Sequence, residues 1–586
     1  MSWARTLARL LVFREPEEPR YAFTAGRKDR PRERGPGADA VEDKKNKLRE
    51  GQRVDNLLEQ DRLLSTGLDE NERLLRQVFR HPENKDLVLR PFSLSTDPPR
   101  RALLVFLDGP TDKTVQNLAI LQPLMLLAGL RLDRDLDGEG PVPGAGDETA
   151  REALLNRIQE TLLPGNEVTT AASFKDVASE VLAGNTVLLV DGLDRALSVE
   201  TKGWATRGVG TPRAEAVIRG PQEAFTEQVR INVTLVRKIL RRSSLVTDFV
   251  KVGQMSSYQC AVLYLDDIAN PDLVAEVRRR LESIKADYVN ESGILEQFIE
   301  DAPRGLAPQV LATERPDRVA AALVEGRVAI LLDGNPWALI IPATFFSLMH
   351  AAEDAYVRWP FGSFARLIRY VGLGLALLLP GSYVALVTYH QEFIPTDLLL
   401  AFTGAREQVP FPTVVEVLLM EVAFELIREA GIRIPGTVGT TLGIVGALIL
   451  GQAAVAANIV SPILIVIVAL TALGSFTIPN YPFSLSVRTL RFAYIALGSF
   501  LGLFGIMVGL FVHLALLARL TSFGVPFFAP VAPVTRGAPD HLWRGPVWEQ
   551  ECRPDYVDPL RRRRQPRVSR GWVRARKKDD EEPGGR

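Results

Sequence analysis

The sequence predicts two unlike parts: an α/β cytosolic N-terminal part made of a duplicated α/β module, followed by an all-α polytopic membrane domain. Three observations carry this expectation. From Ile434 to Val487 there is no Asp, Glu, Lys or Arg, a run of 54 uncharged residues. A helical crossing needs about 20 apolar residues, so the run is long enough for two, and no soluble surface does without charge for so long. Tyr370–Tyr389 is a second uncharged stretch, preceded by Arg358, Arg366 and Arg369. Finally, the N-terminal half repeats itself: "GNTVLLVDGLDRAL" (Gly184–Leu197) returns as "GRVAILLDGNPWAL" (Gly326–Leu339).

Whole-chain averages conceal this division. A net charge of +0, 46% hydrophobic residues and a mean hydropathy of +0.05 would suit a soluble protein; they average a charged first half with a nearly uncharged second. Two distant cysteines, Cys260 and Cys552, argue against a disulfide framework and a zinc site. Five histidines leave little for a metal or proton-relay centre, and no cofactor is expected. The opening MSWARTLARLLVF lacks the apolar core and cleavage site of a secretory signal, so the first half is expected to stay in the cytosol.

In chain order, residues 1–56 read as a charged, disordered extension. Residues 57–204 form the first subdomain, with a helical pattern over Leu57–Phe79 and then a strand stopped at Asp108-Gly109 with a helix through Leu127. Residues 205–242 are expected to be a linking helix, with Phe225, Val229, Asn232, Val236 and Ile239 at helical spacing. Its five basic residues, Arg230, Arg237, Lys238, Arg241 and Arg242, have only Phe225 for base stacking in a chain without net charge. No nucleic acid is expected, and the basic end is placed near subunit or lipid surfaces.

Residues 243–349 are the second subdomain, with strand, turn and helix over Ala261–Leu281 and a strand leaving the module over Ile340–Met349. In both copies the Asp-Gly pair closes a hairpin, because Gly reaches positive φ and Asp bonds its own backbone. Asp191 and Asp333 are therefore turn residues rather than metal ligands or catalytic acids. No P-loop, dinucleotide fingerprint or Gly-x-Ser-x-Gly elbow is present, and nothing points to an enzyme.

Residues 350–520 are expected to form the membrane domain, with about four to five helical segments. Tyr370–Tyr389 crosses first, its basic flank marking the cytosolic side; Pro380 and Gly381 in its middle are candidates for a kink. His390–Val409 is a loop or interfacial helix. Pro410–Arg428 follows, with Glu421, Glu425 and Arg428 on one helical stripe and Glu416 opposite. A carboxylate exposed to lipid costs at least about 2.5 kcal/mol. Two readings stay open: an interfacial helix with a Glu425–Arg428 pair, or a segment lining a water-filled, cation-favouring path. Ile434–Asn458 is then expected to cross, its Gly439, Gly443, Ala447 and Gly451 forming a small-residue stripe suited to helix packing. Val460–Ile478 crosses back and Ala493–Leu517 crosses last, with Arg488 and Arg491 at its start and His513 as an interfacial polar group near its end.

The basic tail, 521–586, raises a conflict. Five crossings from a cytosolic start put it outside, yet Arg561–Lys578 holds ten Arg and Lys and no acid, which favours the cytosol. The glutamate segment is the natural suspect for failing to cross.

Several stretches together resemble the GerA/SpoVAF family of spore germination proteins: "TERPDRVAAALVEGRVAILLDGNPWALIIPATF", "LPGSYVALVTYHQEFIPTDLLL", "REQVPFPTVVEVLLMEVAFELIREAGIRIPGTVG", "IVGALILGQAAVAANIVSPILIVIVALTALGSF" and "RGVGTPRAEAVIRGPQEAFTE". The likeness runs from about Leu87 to Leu517. It implies the A subunit of a receptor in the inner membrane of bacterial spores, multi-pass, with a two-lobed cytosolic part. It also implies a transporter-like B subunit and a lipoprotein C subunit as partners, and an oligomeric, nutrient-gated ion channel with the nutrient sensed by the B subunit. The SpoVAF branch and a non-conducting scaffold are the alternatives; too few spans and no inverted repeat disfavour a secondary transporter.

Overall fold

The computed structural model describes Val54, Leu58 and residues 61–95, 99–126, 148–165, 167–203, 210–255, 258–433, 449–535 and 540–566. The first lobe opens with helix α1 (Leu68–Val78) and strands β1 (Leu87–Leu94) and β2 (Arg100–Leu107). Helical stretches α2 (113–126) and α3 (148–162) follow, each containing a π turn. β3 (Val168–Ala171), α4 (Phe174–Leu182), β4 (Thr186–Val190) and β5 (Ala196–Val199) complete it. The second lobe has α5 (Val229–Ile239), β6 (Leu245–Val252), β7 (Tyr258–Leu265), α6 (Pro271–Ser283) and α7 (Ser292–Ile299). It ends with β8 (Leu311–Thr313), α8 (Pro316–Val324), β9 (Val328–Leu332), β10 (Ala338–Ile341) and the short α9 (Phe345–Met349).

The two sheets have the same order, β1-β2-β4-β5-β3 and β6-β7-β9-β10-β8, antiparallel at every pairing. Alternation along the central strands builds two cores per sheet. In the first lobe, Leu103, Val105, Val187 and Leu189 pack with α1 and α4, while Ala102, Leu104, Leu188 and Val190 pack with α2 and α3.

The repeat extends further than its hairpins. Within the helical pattern expected over Leu57–Phe79, Leu58 is helical, Leu63 and Leu64 instead pair with the backbone around Ser173, and α1 then runs from Leu68. The segment 205–242, expected as a linker, contains α5, and Val229, Val233 and Val236 fill the second core beside Leu263 and Leu331. α5 thus holds the place on the second sheet that α1 holds on the first. The turn aspartates serve both helices: Asp191 Oδ1 accepts from Leu68 N at 3.3 Å and Asp333 Oδ1 from Val229 N at 3.1 Å. Each carboxylate meets a free N–H at the positive end of a helix.

The basic side of α5 faces the first lobe rather than lipid. Arg237, buried, donates to both oxygens of Asp86, with Nη2 2.7 Å from Oδ1, and to Asn84 Oδ1 at 3.1 Å. Arg230 pairs with Asp108, Arg80 with Asp266 at 2.8 Å, and Lys85 with Asp248 at 2.7 Å. Charged side chains therefore join the lobes.

The helical part comprises α10 (Trp359–Tyr389), α11 (Thr396–Arg406), α12 (Thr413–Arg433), a helix over 449–456, α13 (Pro462–Phe476) and α14 (Tyr481–Arg519). α10 and α14 are long and apolar enough to cross a membrane. α14 differs from the single final crossing expected over Ala493–Leu517. At Gly502, with φ 60° and ψ −148°, the chain reverses, a conformation natural to glycine. The first arm runs beside α10, with Gly498 against Gly381 and Gly502 against His390. The second arm folds back along the first, its Gly505 against Leu497 and its His513 Nδ1 3.1 Å from Tyr494 Oη.

That reversal returns the chain to the second lobe. A hairpin, β11 (Thr521–Ser522) and β12 (Val525–Pro526), follows at once. Phe523, Val525, Ala529, Tyr556 and Val557 complete the core formed by Val262, Ile330 and Leu339. Ser522 Oγ donates to Gln309 O at 2.6 Å, and Arg561 pairs with Asp267 at 3.4 Å. His350 lies 2.8 Å from His541 O through Nε2; burial and the Arg366 cation push its pKa down to about 3, so the neutral ring donates. Among the described residues, the chain that follows α14 thus belongs structurally to the second lobe.

Removing one partner of a buried ion pair leaves the other charge uncompensated. Arg237→Ala should destabilise the full chain by about 3–5 kcal/mol in denaturant unfolding, and Arg237→Met with Asp86→Leu by much less.

Candidate functional site: a carboxylate–guanidinium ladder in the helix bundle

Three of the four glutamates of α12, Glu416, Glu421 and Glu425, each meet a guanidinium of another helix, while Glu429 pairs with Arg433 on α12 itself. Glu421 and Glu425 lie one helical turn apart, and Arg488 and Arg491 are three residues apart on the first arm of α14. The helices run antiparallel, so Glu421 pairs with Arg491 and Glu425 with Arg488. Arg428 reaches Glu425 at 3.8 Å, donates to Ser475 Oγ of α13 at 3.0 Å and lies 4.6 Å from the centre of the Phe476 ring. Glu416, on the other side of α12, accepts from Arg406 of α11 at 3.4 Å and from Ser461 N at 3.2 Å. Ser461 is the N-cap of α13, so that carboxylate sits where a helix end is positive.

Burial grades the ladder. Glu416 and Glu421 are 1% and 2% exposed, Arg491 is 3% exposed, and the Glu425 side chain retains 35%. Desolvating such charges costs several kcal/mol each, repaid only by close pairing and further hydrogen bonds. Counting Arg406, four guanidiniums face three carboxylates, so the ladder carries one excess positive charge. Glu421 Oε1 and the Nε atoms of Arg428, Arg488 and Arg491 are buried without a hydrogen-bond partner among the described residues.

Sequence reasoning singled out Glu416, Glu421, Glu425 and Arg428 but treated Arg488 and Arg491 only as the flank of a crossing. The signal was present: two arginines at i, i+3 on an apolar helix match two glutamates at i, i+4 on another. Of the small-residue stripe, Gly439, Gly443 and Ala447 lie outside the described residues; a Cβ added at Gly451 would meet only ordinary contact, 3.8 Å from Ile465. Pro380 sits buried within continuous helix. Gly381 marks a close crossing, where an added Cβ would lie 2.6 Å from Tyr494 O. This crossing holds the first arm of α14, and with it both arginines, against the bundle. Among the described residues no three His, Cys, Asp or Glu side chains gather as a metal site.

Two antiparallel α/β sheets are thus joined to a helical part that buries an ion-pair ladder and whose helices α10 and α14 are, by length and composition, apolar enough to cross a membrane. The family described as "Bacillus/Clostridium GerA spore germination protein" matches residues 73–556. The chain belongs to this family. It is 36% identical to "Spore germination protein KA" of Bacillus subtilis (strain 168), across 84% of this chain and 88% of the relative. It is 42% identical to "Uncharacterized membrane protein YfkQ" of the same organism, across 69% and 78%. "Spore germination protein GerLA" of Bacillus cereus is 38% identical across 80% and 92%. A crystal structure of the N-terminal domain of the A subunit of the Bacillus megaterium spore germinant receptor GerK3 is 32% identical, with a TM-score of 0.36, covering 48% of this chain and 97% of that one.

A side chain larger than hydrogen at the α10–α14 crossing must push the helices apart. Gly498→Leu should lower the unfolding midpoint of the detergent-solubilised chain, an overpacking cost of about 1–3 kcal/mol or more. Leu501→Phe, at a 54% exposed position on the same arm, should leave it unchanged.

Proposed function

We propose that the protein is the A-type membrane subunit of a spore germinant receptor, multi-pass in the spore inner membrane with its α/β lobes in the cytosol. In this reading it forms a homo-oligomer and works with a transporter-like B subunit and a lipoprotein C subunit. The assembly conducts monovalent cations when nutrient binds the partner. Family membership supports the process, and the observation that carries the mechanism is the ladder between α12 and α14.

A paired carboxylate offers a passing cation little, since its charge is already compensated. Separation of α12 from the first arm of α14 frees Glu421 and Glu425 to face a wet path, where rings of carboxylates favour cations. The ladder is then a closed gate, and the glutamates shape conduction only in the open state. Continuity of the bundle with the cytosolic lobes, through α10 at one end and the hairpin after α14 at the other, supports transmission between the two parts.

A second reading has support of its own. The ion pairs are formed within one chain, as suits a non-conducting scaffold that docks partner subunits or a SpoVAF-type accessory protein. Conductance separates the readings. Glu421→Gln and Glu425→Gln, in spores or vesicles with normal assembly, should change nutrient-triggered cation release by about tenfold or more if each neutralisation shifts the gate by about 1.4 kcal/mol or more. Unchanged release would remove the glutamates from the conduction mechanism.

A further inference from the structure

We infer that the C-terminal segment Leu542–Trp548 forms a second contact with the bilayer, lying in the lipid headgroup layer beside the start of α10. The inference rests on the membrane reading above and extends it to a part of the chain outside the spanning helices.

The level of the bilayer follows from α10. Its 31 residues span about 46 Å at 1.5 Å per residue, close to the 40–45 Å of a bilayer with its headgroups. Its two ends carry Trp359 and Tyr389, 43% and 49% exposed, the side chains favoured at the two membrane–water interfaces. Its uncharged part begins only at Tyr370. The turns from Trp359 to Arg369 therefore belong to the headgroup layer and its inner margin.

The C-terminal segment is fastened to those turns. Arg366 Nη1 donates to Asp540 Oδ1 at 2.6 Å and to His541 O at 3.4 Å. Ser363 Oγ donates to Arg544 O and accepts from Arg544 N, both at 3.1 Å. The Arg544 guanidinium turns inward, donating to Ala355 O at 2.8 Å and to Val357 O. A segment facing water would keep its arginine outside and its tryptophan inside; here the order is reversed. Arg544 is buried, while Leu542, Trp543, Val547 and Trp548 are 45%, 57%, 52% and 39% exposed. Beside them on α10, Phe361 and Phe364 are 67% and 62% exposed. Exposed apolar side chains gathered on two segments that are hydrogen-bonded to each other mark an interaction site. Tryptophan's apolar ring with one N–H donor suits a layer that is apolar on one side and wet on the other. Continuity with the exposed flank of α10 commits the surface to lipid.

The test uses the full chain in phosphatidylcholine–phosphatidylglycerol vesicles. Trp543→Cys is labelled with an environment-sensitive nitrobenzoxadiazole probe in a Cys552→Ser background; Cys260 is buried and unreactive. Phe361→Cys, labelled in the same way, reports the base of α10. A lipid spin-labelled near the headgroup should quench both probes by about half. Quenching at 361 without quenching at 543 overturns the inference and leaves the membrane reading standing. Quenching at neither overturns both. A probe at 543 that escapes quenching, while the unlabelled Trp543→Cys variant crosslinks between chains, overturns it in favour of a second copy.

Discussion

The constraint on which the helical part depends is the pairing of charges where water is scarce. Glu421 and Arg491 are both almost wholly buried, and neither is tolerable there alone. Their pairing fixes the register between α12 and the first arm of α14: a slip of one turn would leave a charge at each end of the ladder without a partner. The same register sets Gly498 against Gly381 and brings Gly502 to the end of α10 beside His390. Electrostatics thus choose the register, and glycine permits the close approach that it requires.

The reversal at Gly502 links this bundle to the α/β lobes. Because the second arm of α14 returns, the segment after Arg519 supplies Phe523, Val525 and Tyr556 to the core beneath the second sheet. Asp301 receives hydrogen bonds from Thr521 Oγ1 at 2.8 Å and Gly524 N at 3.2 Å. Arg280, 2.6 Å from Asp301, covers the Phe523 ring at 4.1 Å. The lobes and the bundle are therefore joined at both ends of the helical part, and Arg237 carries the connection on to the first lobe. Any displacement of α14 acts on a packed core rather than on a loose tail, and cores of this density pass strain on rather than absorb it.

Much of the α/β part was legible in the sequence, because the Asp-Gly hairpins and alternating apolar strands are local signals. The place of α5 was not: periodicity shows that a helix has an apolar face without showing which sheet receives it. The glutamates were conspicuous against an apolar background, but their partners lie some 60 to 70 residues away, and only the fold brings them together. The turn at Gly502 was hidden because a glycine inside an apolar run is ordinary in membrane helices. The apolar stretch Thr521–Val534, "TSFGVPFFAPVAPV", is a sign in the sequence that the tail re-enters a core, and attention to the arginines after it passed it over.

The central claim is that the Glu421–Arg491 contact holds α12 against α14 in the resting state. Charge reversal in intact spores tests it most directly, comparing Glu421→Arg, Arg491→Glu and the two together for accumulation of the protein and for cation release without nutrient. Each single reversal should lose the protein or leave the spores leaking, and the double reversal should restore both properties towards those of the unaltered chain. If either single reversal is harmless, or the double is as damaged as both singles combined, the contact is not what keeps the bundle closed.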